Sequence, residues 1–385
     1  MARSLEQQYL IDLSHAWAKG AAGPVAPPPG IDPAAVRSRL EAHNVEVTLG
    51  ALLPDAMKDE AFARQVDVSR ARSTDLLLEC ERILPLIGRH AERPVLLKGA
   101  ALALRSYREP GQRWFMDLDL LLPRSAVRAA CEELETAGYR PLPGGRDLKF
   151  YEKYHLHRIL VGPAGACVEL HWDLTVPGSV YLLSPSGVIA RSKPDRLGRQ
   201  LLWRPCPVDQ ILHATYQNIA DGFLDLRRVL DLALLAPALS PAEGVMLVDL
   251  ARRAGLARGL ALSLHIMKQI AGIETEWMGE LDHDLGPAAQ RMIRGLDVAG
   301  GCLDRRARDV PGYTALLHLL TTPRDTLRLR EACRLLWVGE QILLEMGYRA
   351  GSLPGAVVRS RVVAGQARLL ARVGGLAVRA MASPR

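Results

Sequence analysis

The 385-residue sequence predicts an α+β fold in which a small β-sheet lies between two helical regions. Strand-like runs are confined to residues 94–174, and helical periodicity dominates on both sides of them. The first run, PVLL at 94–97, ends in Lys-Gly-Ala and turns into a short helix. A second run, DLDLLL at 117–122, follows a turn, and a third, ACVELHWD at 166–173, alternates apolar with polar side chains.

Residues 1–90 are predicted to form a helical region that packs on the sheet. A short helix is expected over 4–18, and a second helix should begin at Asp32-Pro33, because aspartate caps helices and proline suits their first position. A longer helix, at roughly 68–90, then leads to the first strand.

Two carboxylates on one strand are the most informative feature of the second run. Asp117 and Asp119 are two residues apart, so their side chains point to the same face of a sheet. Neighbouring carboxylates repel each other unless a proton or a cation lies between them, and Mg²⁺ usually takes one or two such ligands. The third run offers another carboxylate, Glu169. The spacing therefore indicates a Mg²⁺ site; the alternative is the solvated face of an edge strand.

The segment between the first two strands predicts an anion site. Gly99 lies where a strand turns into a helix, and backbone N–H groups at a helix N-terminus bind anions when no side chain intervenes. Lys98 and Arg113 bracket this turn with positive charge. His171, two residues after Glu169, would face the same cleft as a general base, a phosphate contact or a structural hydrogen-bonding group.

A glycine turn, then Asp-x-Asp, then an acid on a later strand resembles the layout of the polymerase-β-type nucleotidyltransferase superfamily. The segments LLKGAAL, DLDLLL with Arg113 before it, and VELHW resemble the uncharacterised bacterial nucleotidyltransferases of that superfamily. The resemblance implies a small mixed β-sheet nucleotidyltransferase core at residues 91–206. It also implies a helical bundle at 207–350 that helps to form the acceptor side of the cleft.

The same resemblance implies transfer of a nucleoside monophosphate from a nucleoside triphosphate, ATP by default, with release of pyrophosphate. The acceptor would be a hydroxyl of an unidentified small molecule, peptide or protein. Two Mg²⁺ ions would be held by Asp117, Asp119 and Glu169. The residues expected to bind the nucleotide are Lys98, Gly99, Ala100, Arg113 and His171. Ala100 replaces the glycine or serine usual in the superfamily, which removes a hydroxyl contact to phosphate.

Three further segments carry structural predictions. Residues 148–160 are expected to form a strand pair on which His155 and His157 share a face, either as a metal-binding pair or as substrate-facing or solvated side chains. Residues 175–207 are rich in Pro, Gly and Ser and predict a long excursion or lid. Helices should then follow at about 208–239, 241–272, 285–300 and 311–346.

Composition sets the remaining expectations. The six cysteines have no metal-ligand spacing, which indicates free thiols. No signal peptide or apolar span is evident, so a soluble, cytoplasmic protein is expected.

The net charge of +7 equals the seven arginines that follow Glu345, where no acidic residue remains. The basic tail, 351–385, could contact an acidic membrane or a nucleic acid, or it could be a solvated helix. Base-stacking aromatics among basic residues are not evident, which disfavours nucleic acid as the acceptor.

The sequence lacks the motifs that are typical of P-loop, Rossmann, zincin and serine-hydrolase proteins. The chain has no G-x-x-x-x-G-K-[ST] loop, no G-x-G-x-x-G after a strand, no H-E-x-x-H and no G-x-S-x-G. Two alternatives remain open: an Asp-x-Asp glycosyltransferase that uses a sugar nucleotide, and a non-catalytic descendant that binds a nucleotide or a protein partner.

Overall fold

The computed structural model describes residues 3–142, 147–304, 313–323, 371–375 and 377–378. Within them the fold is α+β, as the sequence predicts. The helices are α1 (Leu5–Ala18), α2 (Pro33–Ala42), α3 (Glu46–Leu49), α4 (Glu60–Gly88), α5 (Lys98–Arg105), α6 (Arg124–Thr136), α7 (Leu148–Tyr154), α8 (Pro185–Arg191), α9 (Pro207–Ala220), α10 (Leu226–Leu235), α11 (Pro241–Arg253), α12 (Ala257–Ala271), α13 (Asp282–Leu296), α14 (Val298–Leu303) and α15 (Tyr313–Thr321). The strands are β1 (Val95–Leu96), β2 (Asp117–Leu121), β3 (Arg140–Pro141), β4 (His157–Val161), β5 (Cys167–His171), β6 (Lys193–Leu197) and β7 (Gln200–Arg204).

The strands form one mixed sheet in the order β3-β4-β5-β2-β1-β7-β6. Strand β2 runs parallel to β5 and antiparallel to β1, and β1 runs parallel to β7. The outer pairs, β3 with β4, β4 with β5 and β6 with β7, are antiparallel. The three strand-like runs of the sequence therefore lie side by side at the centre, as β5, β2 and β1.

Helices α4 and α6 cover one face of this sheet with an apolar core. Leu118 and Leu120 of β2 and Val168 and Leu170 of β5 are fully buried in it. Because side chains alternate along a strand, the acidic residues between these leucines and valines face the opposite side. One strongly apolar face thus fixes the side on which the acids lie.

The helices outside the sheet share a second core. Side chains of α1 and α2 pack in the same apolar cluster as those of α9, α10 and α12. The N-terminal region is therefore divided between two places: α4 packs under the sheet and α1 and α2 join the later helices. This packing does not decide the boundaries predicted at residues 90, 206 and 350, which stay predictions.

The strand pair predicted at 148–160 is wrong in its first half. Residues Leu148–Tyr154 form a helix, because the Asp147 side chain caps its start by accepting a hydrogen bond from Phe150 N. Only β4 is extended. His155 is the C-terminal cap of α7 and stacks near Phe150 and Tyr151, so the predicted pairing of His155 with His157 on one strand is not formed.

The long excursion predicted at 175–207 is wrong for most of its length, since this segment supplies helix α8 and the hairpin β6–β7; the lid role stays a prediction. The hairpin turns at Gly198, whose φ of +54° is accessible to glycine at little cost. Pro194 lies in β6, which is the edge strand of the sheet and can lack an N–H donor there. These residues resemble loop composition, and their strand pairing is visible only in the tertiary structure.

The other fold predictions stand as follows. The helices predicted from 208 to 300 are confirmed as α9 to α14, with breaks the sequence analysis did not place. Within the described part of the chain, five cysteines are free and no helix is long and apolar enough to cross a membrane. Most of the helix predicted at 311–346 and nearly all of the basic tail lie outside the described residues.

A buried ion pair ties the sheet to the helical half. The Arg113 guanidinium, just before β2, makes two hydrogen bonds to Asp231 of α10, with Nε–Oδ1 and Nη2–Oδ2 distances of 2.8 and 2.7 Å. The Tyr107 hydroxyl donates a further hydrogen bond of 2.7 Å to Asp231 Oδ1. Both charged side chains are almost fully buried, so each depends on the other for its charge balance.

We expect Asp231→Ala to lower the free energy of unfolding by about 3–5 kcal/mol, because it leaves a buried Arg113 charge without a partner. Denaturant unfolding measures this. The matched control is Asp249→Ala, which breaks the exposed pair with Arg253 and should cost about 1 kcal/mol or less. The double variant Arg113→Met/Asp231→Leu should recover much of the loss; equal losses in Asp231→Ala and Asp249→Ala would contradict a structural role for the pair.

Candidate active site

Five polar side chains lie together on the face of the sheet that points away from α4 and α6. The parallel register of β2 and β5 places Asp119 beside Glu169, with Asp117 two residues before Asp119 on the same face. The antiparallel register of β4 and β5 places His157 beside His171. The structure therefore brings together all three predicted metal ligands and His171, and it adds His157.

Lys98 reaches this cluster from the junction between β1 and α5. The preceding residue donates a backbone hydrogen bond of 2.9 Å from Leu97 N to Asp119 O, which fixes the junction against β2. Lys98 Nζ lies 2.5 Å from Asp119 Oδ1 and 3.6 Å from Glu169 Oε2. Its φ of +50° is unusual for a residue with a side chain, and such strain often marks functional positions.

The two aspartates of β2 have opposite electrostatic character. Burial alone would raise the pKa of Asp119, but the Lys98 ammonium and the hydrogen bond from His171 hold it well below its usual range. Burial, reinforced by the Asp119 charge, raises the pKa of Asp117 to about 6 despite the opposing effect of Lys98. Asp119 is thus a stable anion, whereas Asp117 lacks a positive partner strong enough to offset its desolvation.

The two histidines also differ. His171 is fully buried, and its Nε2 lies 2.8 Å from Asp119 Oδ1 and 3.2 Å from Glu169 Oε2. Burial and the Lys98 charge oppose protonation of His171, yet these hydrogen bonds raise its pKa above the ordinary value. Burial lowers the pKa of His157 to about 4, although Glu169 opposes this shift. His157 is therefore a neutral imidazole near pH 7 and an available metal ligand.

The other residues of the predicted anion site have structural contacts. A Cβ on Gly99 would lie 2.7 Å from Cβ of Phe115, so close packing alone requires glycine there. Ala100 is 1% exposed and belongs to the apolar core beneath the sheet. The Arg113 guanidinium is paired with Asp231. Of the cations predicted to bind phosphate, only Lys98 lies among the carboxylates; the binding roles themselves stay predictions.

A small cavity adjoins Lys98 on the side of α9. It is lined by Gln210, His213 and Gln217 of that helix, and its volume of ≈ 30 Å³ has room for a water molecule or two. Burial lowers the pKa of His213 to about 3, so His213 is neutral.

The sequence analysis named His157 but gave it the wrong partner, and it did not single out His213 as a site residue. His157 was paired with His155 rather than with His171, because the register of β4 against β5 cannot be derived from the sequence of β4 alone. His213, 115 residues after Lys98, gave no local signal at all beyond a polar residue on an apolar helix.

The chain matches the family model described as uncharacterised nucleotidyltransferase over residues 34–272. The match spans more than half of the chain and includes the whole sheet, α5 and α9 to α12. The chain therefore belongs to this nucleotidyltransferase family, which confirms the resemblance derived from LLKGAAL, DLDLLL and VELHW. A search of curated proteins found no match.

The opposite pKa shifts predict opposite stability effects in metal-free protein. Above pH 6 a raised carboxyl pKa means that folding must bury an unfavourable charge, so we expect Asp117→Asn to stabilise the fold by about 2 kcal/mol. This gain should vanish as the pH falls from 6 towards 4, where the folded protein protonates Asp117. Asp119→Asn should instead destabilise by about 3–5 kcal/mol, because it leaves Lys98 and His171 without their buried anion.

Urea unfolding in EDTA across about pH 3–8 measures both effects. Because the low pKa of Asp119 stabilises the fold only while the unfolded carboxyl is also ionised, the Asp119→Asn deficit should shrink below about pH 4. The control is Asp67→Asn on the exposed surface of α4, which should change stability little. Destabilisation by both site variants alike would contradict the assigned electrostatics.

Proposed function

We propose that the protein is a metal-dependent nucleotidyltransferase that moves a nucleoside monophosphate from a nucleoside triphosphate to an acceptor hydroxyl and releases pyrophosphate. Family membership supports the general class. The observation that carries the finer proposal is the register of β2 against β5, which sets Asp119 beside Glu169, with Asp117 on the same face. Such a group of carboxylates on rigid strands is a ligand set for hard divalent cations.

The charge balance of the cluster fits bound cations. The Lys98 ammonium contacts Asp119 and Glu169 but not Asp117, and the pKa of Asp117 stays raised, which supports the view that this one cation does not balance all three carboxylates. Two Mg²⁺ ions held by Asp117, Asp119 and Glu169 would supply the missing positive charge, activate the acceptor hydroxyl and stabilise charge on the reacting phosphate. The donor would be ATP by default and the acceptor a small molecule, peptide or protein hydroxyl.

The protein's own side chains then have distinct tasks. Lys98 binds Asp119 and Glu169 in this structure; a cation that competes for these carboxylates would free its ammonium to bind the triphosphate. His171 is fully buried, so it is placed to orient Asp119 and Glu169 rather than to touch substrate. The backbone of the turn at Gly99 remains a candidate phosphate contact.

One observation favours a second candidate function. The buried Asp119 carboxylate is paired with Lys98 without any ligand, as it would be in a non-catalytic descendant that binds a nucleotide or a partner. The Asp-x-Asp glycosyltransferase alternative requires the aspartates but neither Glu169 nor the turn at Gly99. Nucleotide binding and turnover together separate the three hypotheses.

We expect one nucleoside triphosphate to raise the melting temperature of the wild-type protein only when Mg²⁺ is present, by several degrees at a concentration about 100 times its Kd. The panel is ATP, GTP, CTP, UTP and UDP-glucose, each with and without Mg²⁺. Asp117→Asn should lose the Mg²⁺-dependent part, and Asp67→Asn, an exposed carboxylate outside the site, should keep it.

The other outcomes identify the alternatives. A shift with UDP-glucose alone would favour the glycosyltransferase, and no shift with any nucleotide would favour a partner-binding descendant. Where a triphosphate binds, pyrophosphate release with candidate acceptors measures turnover, and Asp117→Asn should lower it by at least about 10²-fold. Undiminished transfer by Asp117→Asn would contradict the proposed mechanism.

A further inference from the structure

A second donor set shares Glu169 with the acid cluster. One ligand atom from each of His157, Glu169 and His171 lies within 4.8 Å of the other two. Two histidines and a carboxylate form a nitrogen-rich set, whereas Asp117 and Asp119 offer only oxygen. The sequence analysis did not predict this set, since it placed His157 with His155.

The separations in this set suit a single small cation. Glu169 Oε2 lies 3.2 Å from His171 Nε2 and 3.6 Å from His157 Nδ1. Ligand atoms at about 2.0 Å from a tetrahedral Zn²⁺ are roughly 3.3 Å from one another. Asp119 Oδ1, 2.8 Å from His171 Nε2, is placed as a further ligand, because an Nε2 that binds the ion can no longer donate a hydrogen bond to Asp119.

An unsatisfied atom points to the same position. Among the described residues, His157 Nδ1 is buried and has no hydrogen-bond partner, and the Glu169 carboxylate it faces is beyond hydrogen-bond distance. Buried polar atoms without partners are uncommon in proteins and often mark an ion or a water. Here the unsatisfied atom belongs to a ring that is already part of the donor set.

We propose that His157, Glu169 and His171 bind a divalent transition metal, with Zn²⁺ as the first candidate and Mn²⁺ as a usable substitute. Imidazole nitrogen suits Zn²⁺, and Mn²⁺ binds mixed sets of imidazole and carboxylate although it favours oxygen, whereas Mg²⁺ prefers oxygen ligands and keeps several waters. Two histidines with one glutamate also leave a coordination position open, as catalytic zinc sites do. In the proposed transferase this ion takes the cation position at Glu169, so its catalytic role rests on that function, but its binding does not.

The test uses the full chain, stripped with EDTA and reloaded with Mn²⁺, whose electron spin echo is modulated by directly bound ¹⁴N. We expect ¹⁴N modulation in the wild type that survives a large excess of Mg²⁺. His157→Leu should reduce the modulation and weaken Mn²⁺ binding about 10-fold or more. The matched control is His155→Leu, which removes the histidine at the end of α7 and should change neither reading.

Three outcomes would overturn the proposal: Mn²⁺ bound by the wild type without ¹⁴N modulation, modulation unchanged in His157→Leu, or modulation lost equally in His155→Leu. The first outcome is measured on the wild type, so it does not depend on whether a variant folds. If His157→Leu does not fold, the polar variant His157→Gln replaces it. Failure of the nucleotide panel with ¹⁴N modulation intact would remove the transferase and keep the metal site. Nucleotide transfer by a protein whose bound Mn²⁺ shows no ¹⁴N modulation would keep the transferase and remove the metal site proposed at the histidines.

Discussion

The contact between the Lys98 ammonium and the Asp119 carboxylate is the interaction on which the site depends. It spans two adjacent strands, since Lys98 follows β1 and Asp119 lies on β2, and Glu169 continues the row on β5. The strand order β5-β2-β1 is therefore what assembles the cluster. A buried charge is tolerated only with a partner, so the pair also selects the junction geometry in which Lys98 adopts a positive φ.

This arrangement stabilises one carboxylate at the expense of another. Lys98 and His171 both approach Asp119 Oδ1, which leaves Asp117 desolvated beside a neighbouring anion. A scaffold selected only for stability would have no reason to keep a half-buried acid with a raised pKa next to the buried Asp119 on the same strand. Uncompensated charge of this kind is typical of sites that bind a further cation or a proton during function.

The sequence alone predicted the positions of candidate site residues correctly wherever the signal was local and periodic. Spacing of two placed Asp117 and Asp119 on one face, and the alternation of ACVELHWD placed Glu169 and His171 together, because one apolar face fixes the register of a strand. It could not predict contacts between residues that are distant in sequence. Asp231, which binds the guanidinium of Arg113, is 118 residues away from it. The hairpin β6–β7 was missed because Pro194 and Gly198 serve an edge strand and a turn and resemble loop composition.

The ion pair between Arg113 and Asp231 leaves the Arg113 guanidinium unavailable to an anionic substrate. Ala100 is part of the core, and Gly99 is packed against Phe115, so neither offers a side chain to a phosphate. Lys98 is bound to Asp119 and Glu169 until something replaces it. A triphosphate approaching three carboxylates would then be repelled unless cations arrived with it or before it. Nucleotide affinity in this protein should consequently be coupled to metal affinity, because the carboxylates that hold the ions would release Lys98, which then becomes free to bind phosphate.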